Sequence, residues 1–469
     1  MTPVVYDITL FATLVLFAGV AFAYARHKAA SVAHPATFYL AFHGFLFVFR
    51  PIVARIYDFD FVYRLYQFQP SISDKVTVLL GANLGLVVFL VASLWAAPRP
   101  APMPDAAAIE RARYRLFWPI IAATGLLTPL GLASQISYWG QRATQFETMT
   151  RDAATGSLVN TENIGWFTDA ALVLAPLAVM LVWLARYRWW GWLYFAGFAF
   201  AQAGSGTRGA IIFAVAAILV AWLMETGKRW LDWRTLALGA ATVVAFNAIV
   251  LDRGSAVRDL VTTDMYDDTL TREELDPLED MDFANLEYFE YVVYAVPQRT
   301  GSYDYFAHYL QIFTEPIPRR LWNDKPVGSP VQFFSLWDYG RPTGMTMSVP
   351  GVGWMSLGYP GIVIQVTVFA LLFGGAYRYL LLVRGGPMAR LAYAMVIATA
   401  IVGFRDGTVL TLLRNAPFYF GPLLLALGIA RLLQPVVLQG QSGVPMHEPG
   451  RTPAQRRRAM ADKAGDRAR

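Results

Sequence analysis

Ser348-Val-Pro-Gly-Val-Gly-Trp-Met-Ser-Leu-Gly-Tyr-Pro-Gly361 opens an apolar run that continues to about Leu382. A bilayer core is crossed by about 20 predominantly apolar residues in a helix, so Gly351 to Leu382 reads as a spanning segment with length to spare. Outward from it, the same pattern recurs along most of the chain. Of its 469 residues 56% are hydrophobic and only 15% charged, where a soluble domain of this size carries about 25% charged residues. Mean hydropathy is +0.40. The fold class is all-α and polytopic, in a membrane.

Downstream, Met388 to Phe404 and Val409 to Leu433 read as two further spans. Upstream, spans are expected at Val4–Ala25, Pro35–Tyr57, Val76–Ala97, Leu116–Ile136 and Ile164–Ala185. Two short ones follow at Trp189–Gly204 and Ala210–Met224, then one ending near Leu251. That makes about eleven crossings, within a range of about 10–13. Thr2 to Ala25 lacks a basic leading region and reads as a first span, not a cleaved signal. The chain divides into 1–251 with helices one to eight, 252–350 as a large loop domain, 351–433 with helices nine to eleven, and 434–469 as a basic, disordered tail.

Lys and Arg mark one side. The loops Arg26–Lys28, Arg99–Arg115, Arg186–Arg188, Lys228–Arg234 and Arg384–Arg390, with the tail, all fall together, and that side is cytoplasmic by the positive-inside rule. The large loop and the N-terminus are then outside. This placement accounts for the net charge of +6 without nucleic acid. The absence of cysteine excludes disulfides, thiolate nucleophiles and Cys-ligated metals. Arg50 and Arg55, inside the second span, face either a protein interior or the interface, and the plainer expectation is that they snorkel to the nearer surface.

The outer loop carries the chemistry. Pro316-Ile-Pro-Arg-Arg-Leu-Trp-Asn-Asp-Lys-Pro326 holds Arg319, Arg320 and Lys325 between prolines. Outside the membrane there is no ATP, so a substrate must arrive already activated, and a lipid diphosphate needs fixed cations for its leaving group. Arg208, in Ser205-Gly-Thr-Arg-Gly209, is a second anion candidate, because glycine-rich backbone amides and a following helix N-terminus assist it. Arg405 and Arg414 flank the start of the last span. Arg414 lies inside it, so it should face the bundle and meet either substrate or an acid such as Asp169 or Asp406.

Group transfer to a hydroxyl also needs a base. His308 is the one histidine of the outer loop, and Glu290, Asp304 and Glu287 compete with it. The acid-rich run contains Asp264-Met-Tyr-Asp267-Asp268 and Asp280-Met-Asp282, which resemble metal-binding spacings. In so acidic a loop they read as a solvated face, and no metal or other cofactor is expected.

Ile317-Pro-Arg-Arg-Leu-Trp-Asn-Asp-Lys-Pro326 resembles the PR-x-hydrophobic-W-x-x-K-P signature of Wzy-type oligosaccharide repeat-unit polymerases. Ser205-Gly-Thr-Arg-Gly209, the Gly-rich helix opening after the large loop, and Arg405 in a penultimate segment are similar to features of the same family. The likeness covers roughly Gly204 to Leu433, while helices one to five match only in hydropathy. It implies a GT-C-like fold in the bacterial inner membrane with a periplasmic loop and a cytoplasmic C-terminus. It also implies inverting transfer of a growing glycan from undecaprenyl diphosphate to an acceptor repeat unit, without metal or nucleotide sugar, alongside a flippase and a chain-length-regulating co-polymerase. An O-antigen ligase and a lipid-linked glycan flippase are the alternative readings.

Overall fold

The computed structural model describes residues 2–144, 149–151, 158–160, 165–203, 209–233, 279, 283–314, 317, 322, 334, 336–340 and 345–440. The chain divides into two compact units, Met1–Ala426 and Leu427–Arg469. In the second unit the described residues are the end of the helix Val409–Gly440. All that follows concerns the first.

The described part is helical, apart from one antiparallel pair of three-residue strands, Met149–Arg151 and Leu158–Asn160. Among the described residues, eight helices are long and apolar enough to cross a membrane: Pro3–Arg26, Pro35–Tyr57, Ile72–Ala96, Ala106–Ser137, Gly209–Thr226, Ser348–Arg384, Pro387–Asp406 and Val409–Leu433. They fall where hydropathy places spans. Two more expected segments are shorter helices, Ala170–Leu184 and Trp192–Ala203. The span expected to end near Leu251 lies outside the described residues.

Helices in lipid associate through close packing, not through a hydrophobic drive, and small residues make close packing possible. Along the seam between helices 72–96 and 348–384, Gly81 faces Ile362, Gly85 faces Val366, and Gly374 faces Ala96. At its centre Tyr39 stacks on Phe89 at 4.0 Å, and both rings meet the edge of Phe404 at 5.2 and 5.3 Å. Between helices 3–26 and 72–96, Asn83 donates to the Thr13 hydroxyl at 2.8 Å.

Helix 348–384 is not one rod. Gly358 takes φ +63° and ψ −142°, a conformation open to glycine, and the chain reverses there. In a straight helix residues eight apart would lie about 12 Å from each other. Here a Cβ on Gly361 would come within 2.0 Å of the Gly353 carbonyl oxygen. Residues 348–356 therefore form a short buried helix folded back on residues 359–384. The reading of Gly351 to Leu382 as one continuous span is corrected accordingly, with Pro360 starting the second helix where its missing N–H costs nothing.

The basic loops meet at one end of the bundle. Arg229 donates to the His27 carbonyl at 2.7 Å, Arg113 to Glu225 at 2.7 Å, Arg390 to the Pro102 carbonyl at 2.8 Å, and Arg186 pairs with Glu110. The other ends of the same helices carry a different set. Asp7 pairs with Arg55 at 3.0 Å, Gln298 donates to Asp74 at 3.1 Å, and the Arg405 carbonyl accepts from Asn285 at 2.9 Å. Arg390 and Arg405 sit fifteen residues apart on one helix, about 22 Å along its axis. The charge asymmetry that hydropathy and loop counting imply is thus a physical separation of two bundle ends.

Candidate functional site

Within the stretch read as a polar loop, Asn285–Ala295 forms a helix with nearly every residue buried. It lies at the end of the bundle away from the basic loops. Glu287 and Glu290 project from it one turn apart. Glu287 meets Arg50, whose Nε donates to both carboxylate oxygens at 3.2 and 3.0 Å and whose Nη2 donates at 2.8 Å. Their side chains are 1% and 2% exposed, so Arg50 does not snorkel as expected: it is a buried charge with a fixed carboxylate. Arg55, by contrast, is half exposed and bound to Asp7.

Glu290 lies deeper in chemical interest. Its Oε2 accepts the Tyr63 hydroxyl at 2.6 Å. Burial raises its pKa from the usual 4.5 to about 7, with Glu287 adding to the rise and Lys75, the Tyr63 hydrogen bond and Arg50 opposing it. Burial and the two glutamates push the Tyr63 phenol well above its ordinary range, so it stays a donor. The Lys75 ammonium sits 4.6 Å from the centre of the Tyr63 ring. These groups line a cleft of about 340 Å³ with Tyr6, Arg55, Asp58 and Phe59.

A pH dependence follows. An unfolded glutamate loses its proton near pH 4.5, whereas the folded protein holds that on Glu290 to about pH 7. Between those values the folded state binds the extra proton, so this contribution to stability is full below pH 4.5 and gone above about pH 7. Thermal unfolding should therefore show a higher midpoint at pH 5 than at pH 8, and Glu290→Gln, neutral at both, should flatten the difference. An unchanged slope in the variant would assign the dependence elsewhere.

Asp304 and His308 form a second group. Residues 304–309 dock on the break in helix 348–384, where the Asp304 and Tyr305 amides donate to the Met355 and Ser356 carbonyls at 3.1 and 2.9 Å. Tyr305 and Phe306 both take positive φ, 51° and 62°, which bulky residues adopt only when their surroundings impose it. The turn brings the Asp304 carboxylate against His308 Nδ1. His308 is 1% exposed, and its Nε2 has no hydrogen-bond partner among the described residues. The adjoining Tyr309 hydroxyl is held by Gln365, whose amide also donates to the Gly407 carbonyl at 2.7 Å. His308 is thus a packed member of an acid–histidine pair, not the surface residue that a lone loop histidine usually is.

The expected anion-binding residues divide. Arg405 lies exposed at the end of helix 387–406, and its carbonyl anchors Asn285. Arg414 pairs with Asp169 at 2.7 Å and is 47% exposed, so it takes the acid partner. Arg208, Arg319, Arg320 and Lys325 lie outside the described residues, as do Asp264, Asp267, Asp268, Asp280 and Asp282. Of the acid-rich run Glu279 is described, and it is not solvated: buried, it accepts the Asp60 and Phe61 amides at 2.8 Å and caps the helix Phe61–Tyr66.

Compared with protein-family models, with curated proteins and with solved structures, the chain matches none. Arg50, Tyr63 and Lys75 are the site residues that sequence reasoning passed over. An arginine inside an apolar span was the signal for the first, since it requires a buried anion. Nothing in the sequence joins the other two to Glu290.

Proposed function

We propose that the protein is a membrane glycosyltransferase that polymerises undecaprenyl-diphosphate-linked oligosaccharide repeat units at the outer leaflet of the bacterial inner membrane. The supporting observation is one of placement. A single segment, residues 285–310, brings Glu290 and the Asp304–His308 pair to the bundle end opposite the basic loops, the end at which helix 387–406 finishes with Arg405, whose carbonyl accepts from Asn285. Proton acceptors and a cation at the outer end are what transfer from a lipid diphosphate requires.

On this reading the basic end faces the cytoplasm. The two shorter apolar helices and the apolar segment ending near Leu251 complete eleven crossings around a GT-C-like bundle. An acceptor hydroxyl attacks the donor's anomeric carbon, the bond from that carbon to the diphosphate oxygen breaks, and the electron pair leaves with the lipid diphosphate. The proton passes to an acceptor at the outer end. Arg319, Arg320 and Lys325, with Arg208 and Arg405, offset the charge that develops on the leaving group. A flippase delivering the substrate and a co-polymerase setting chain length are the partners this role requires.

The test is reconstitution of purified protein with one lipid-linked repeat unit, followed on a gel. A ladder of longer chains is expected, and Arg319→Ala with Arg320→Ala should reduce its yield by about 10²-fold or more. Glycan joined instead to a lipid A–core acceptor would make the protein a ligase. The break in helix 348–384 also occurs in transporters, and substrate crossing the vesicle membrane without a ladder would favour a flippase.

A further inference from the structure

The cleft beside Glu290 is built from five places in the chain. Tyr6 comes from helix 3–26, Arg55 and Asp58 from the end of helix 35–57, Phe59 and Tyr63 from the following turn and helix, Lys75 from the start of helix 72–96, and Glu290 from helix 285–295. Its lining balances charge. Two cations, Arg55 and Lys75, stand with two acids, Asp58 and Glu290, and Arg55 is already paired with Asp7 at 3.0 Å and approaches Asp58 at 3.9 Å. A diphosphate, with its concentrated negative charge, needs an excess of free donors that this lining lacks.

A sugar needs the opposite: flat apolar faces to lie against, and donors and acceptors in nearly equal number for its hydroxyls. Tyr6, Phe59 and Tyr63 give the lining aromatic surface, with Lys75 over the Tyr63 ring at 4.6 Å and Arg50 over that of Phe59 at 5.5 Å, and the carboxylates, guanidinium and ammonium supply the polar groups. At about 340 Å³ the cleft is at the small end of the roughly 300–1,000 Å³ typical of ligand sites. That fits the terminal part of a glycan and not a polyprenyl tail.

We propose that this cleft holds the terminal sugar of the acceptor glycan and that Glu290 is the group that takes the proton from its attacking hydroxyl. The proposal rests on the glycosyl-transfer reading and adds to it a place for the acceptor and a choice of base. In the step, the hydroxyl oxygen bonds to the donor's anomeric carbon as that carbon's bond to the diphosphate oxygen breaks. The electron pair departs with the lipid diphosphate, and the hydroxyl proton moves to the Glu290 carboxylate, which later returns it to water. Tyr63 holds Oε2 at 2.6 Å and fixes the carboxylate plane. The charged and titratable groups around it are Arg50, Arg55 and Asp58 from the second helix and its end, Lys75, Tyr6, Tyr63 and its own neighbour Glu287. The rise of its pKa to about 7 suits a base that works near neutrality.

The test is carbodiimide labelling of carboxyl groups in the full-length protein, read by peptide mass spectrometry. The two probes are the free oligosaccharide released by mild acid from the source's lipid-linked glycan, and undecaprenyl diphosphate alone. Glu290 is expected to label, and saturating oligosaccharide to slow its labelling about tenfold, as for a site about 90% occupied. Undecaprenyl diphosphate is expected to leave it unchanged. Glu290→Gln should keep oligosaccharide binding within about threefold and lower polymerisation by about 10²–10⁴-fold. Protection by undecaprenyl diphosphate and not by oligosaccharide would overturn the sugar site. A Glu290→Gln protein that polymerises at the wild-type rate would overturn the base. A ladder without oligosaccharide protection leaves the polymerase and removes the acceptor cleft. Protection without a ladder leaves the sugar site and removes the polymerase.

Discussion

Glu287→Ala destabilises the protein by about 3–5 kcal/mol, because it takes from the buried Arg50 charge the carboxylate that three of its N–H···O contacts reach. The two side chains are 1% and 2% exposed, and three N–H···O contacts join them. Taking such a pair out of water is costly, and their attraction repays the cost only while both partners are present. The pair itself therefore adds little, whereas half of it is a defect. Replacing both together, as in Arg50→Met with Glu287→Leu, should recover most of the loss. Thermal and denaturant unfolding of wild type, Arg50→Met, Glu287→Leu and the double variant in detergent measures the coupling directly. Additive losses would mean that the pair is not a unit. The functional consequence lies one helical turn away: helix 285–295 is held by Arg50 at Glu287 and places Glu290 against Tyr63. The same substitution should therefore also shift the pH dependence assigned to Glu290.

How far the sequence revealed this arrangement varies with the kind of signal. Spanning helices announce themselves by length and apolarity, and the gathering of the basic loops at one end of the bundle follows from the spacing of Lys and Arg. Arg414 was also legible, since an arginine in an apolar span requires an acid, and Asp169 was among those named. Helix 285–295 was not. With eleven residues it is too short for a span, and its two glutamates sit next to an acid-rich run, so its tyrosines, valines and Phe289 passed for loop. The clue was distant in sequence: Arg50 required a buried anion, and Glu287 is 237 residues away. The reversal at Gly358 was hidden for another reason. Hydropathy does not register direction, and two apolar helices folded on each other read the same as one long helix. Glu290 illustrates the limit most clearly, because its chemistry comes from Tyr63, Lys75 and burial, none of which leaves a local pattern.

Gly361→Ala is expected to cost about 3 kcal/mol or more, beyond ordinary overpacking, because the obstacle is backbone. The added methyl would come within 2.0 Å of the Gly353 carbonyl oxygen, and Gly353 in turn lies against Gly361 and Ile362. No side chain can rotate aside, so the short helix 348–356 must lift from helix 359–384. Gly375→Ala is the matched control. On the same helix, nothing lies within 4 Å of its added carbon, and exchanging glycine for alanine inside a helix should stabilise by about 0.5–1 kcal/mol. Opposite shifts of the unfolding midpoint in detergent are expected for the two, and equal shifts would refute the fold-back. The displacement also reaches the site. The Met355 and Ser356 carbonyls accept the amides of Asp304 and Tyr305, so lifting the short helix draws away the support of the turn that sets Asp304 against His308. If the polymerase proposal holds, loss of stability and loss of ladder formation should arrive together in Gly361→Ala, whereas Glu290→Gln should remove the second and keep the fold. That contrast separates a residue that holds this end of the bundle together from one proposed to act in it.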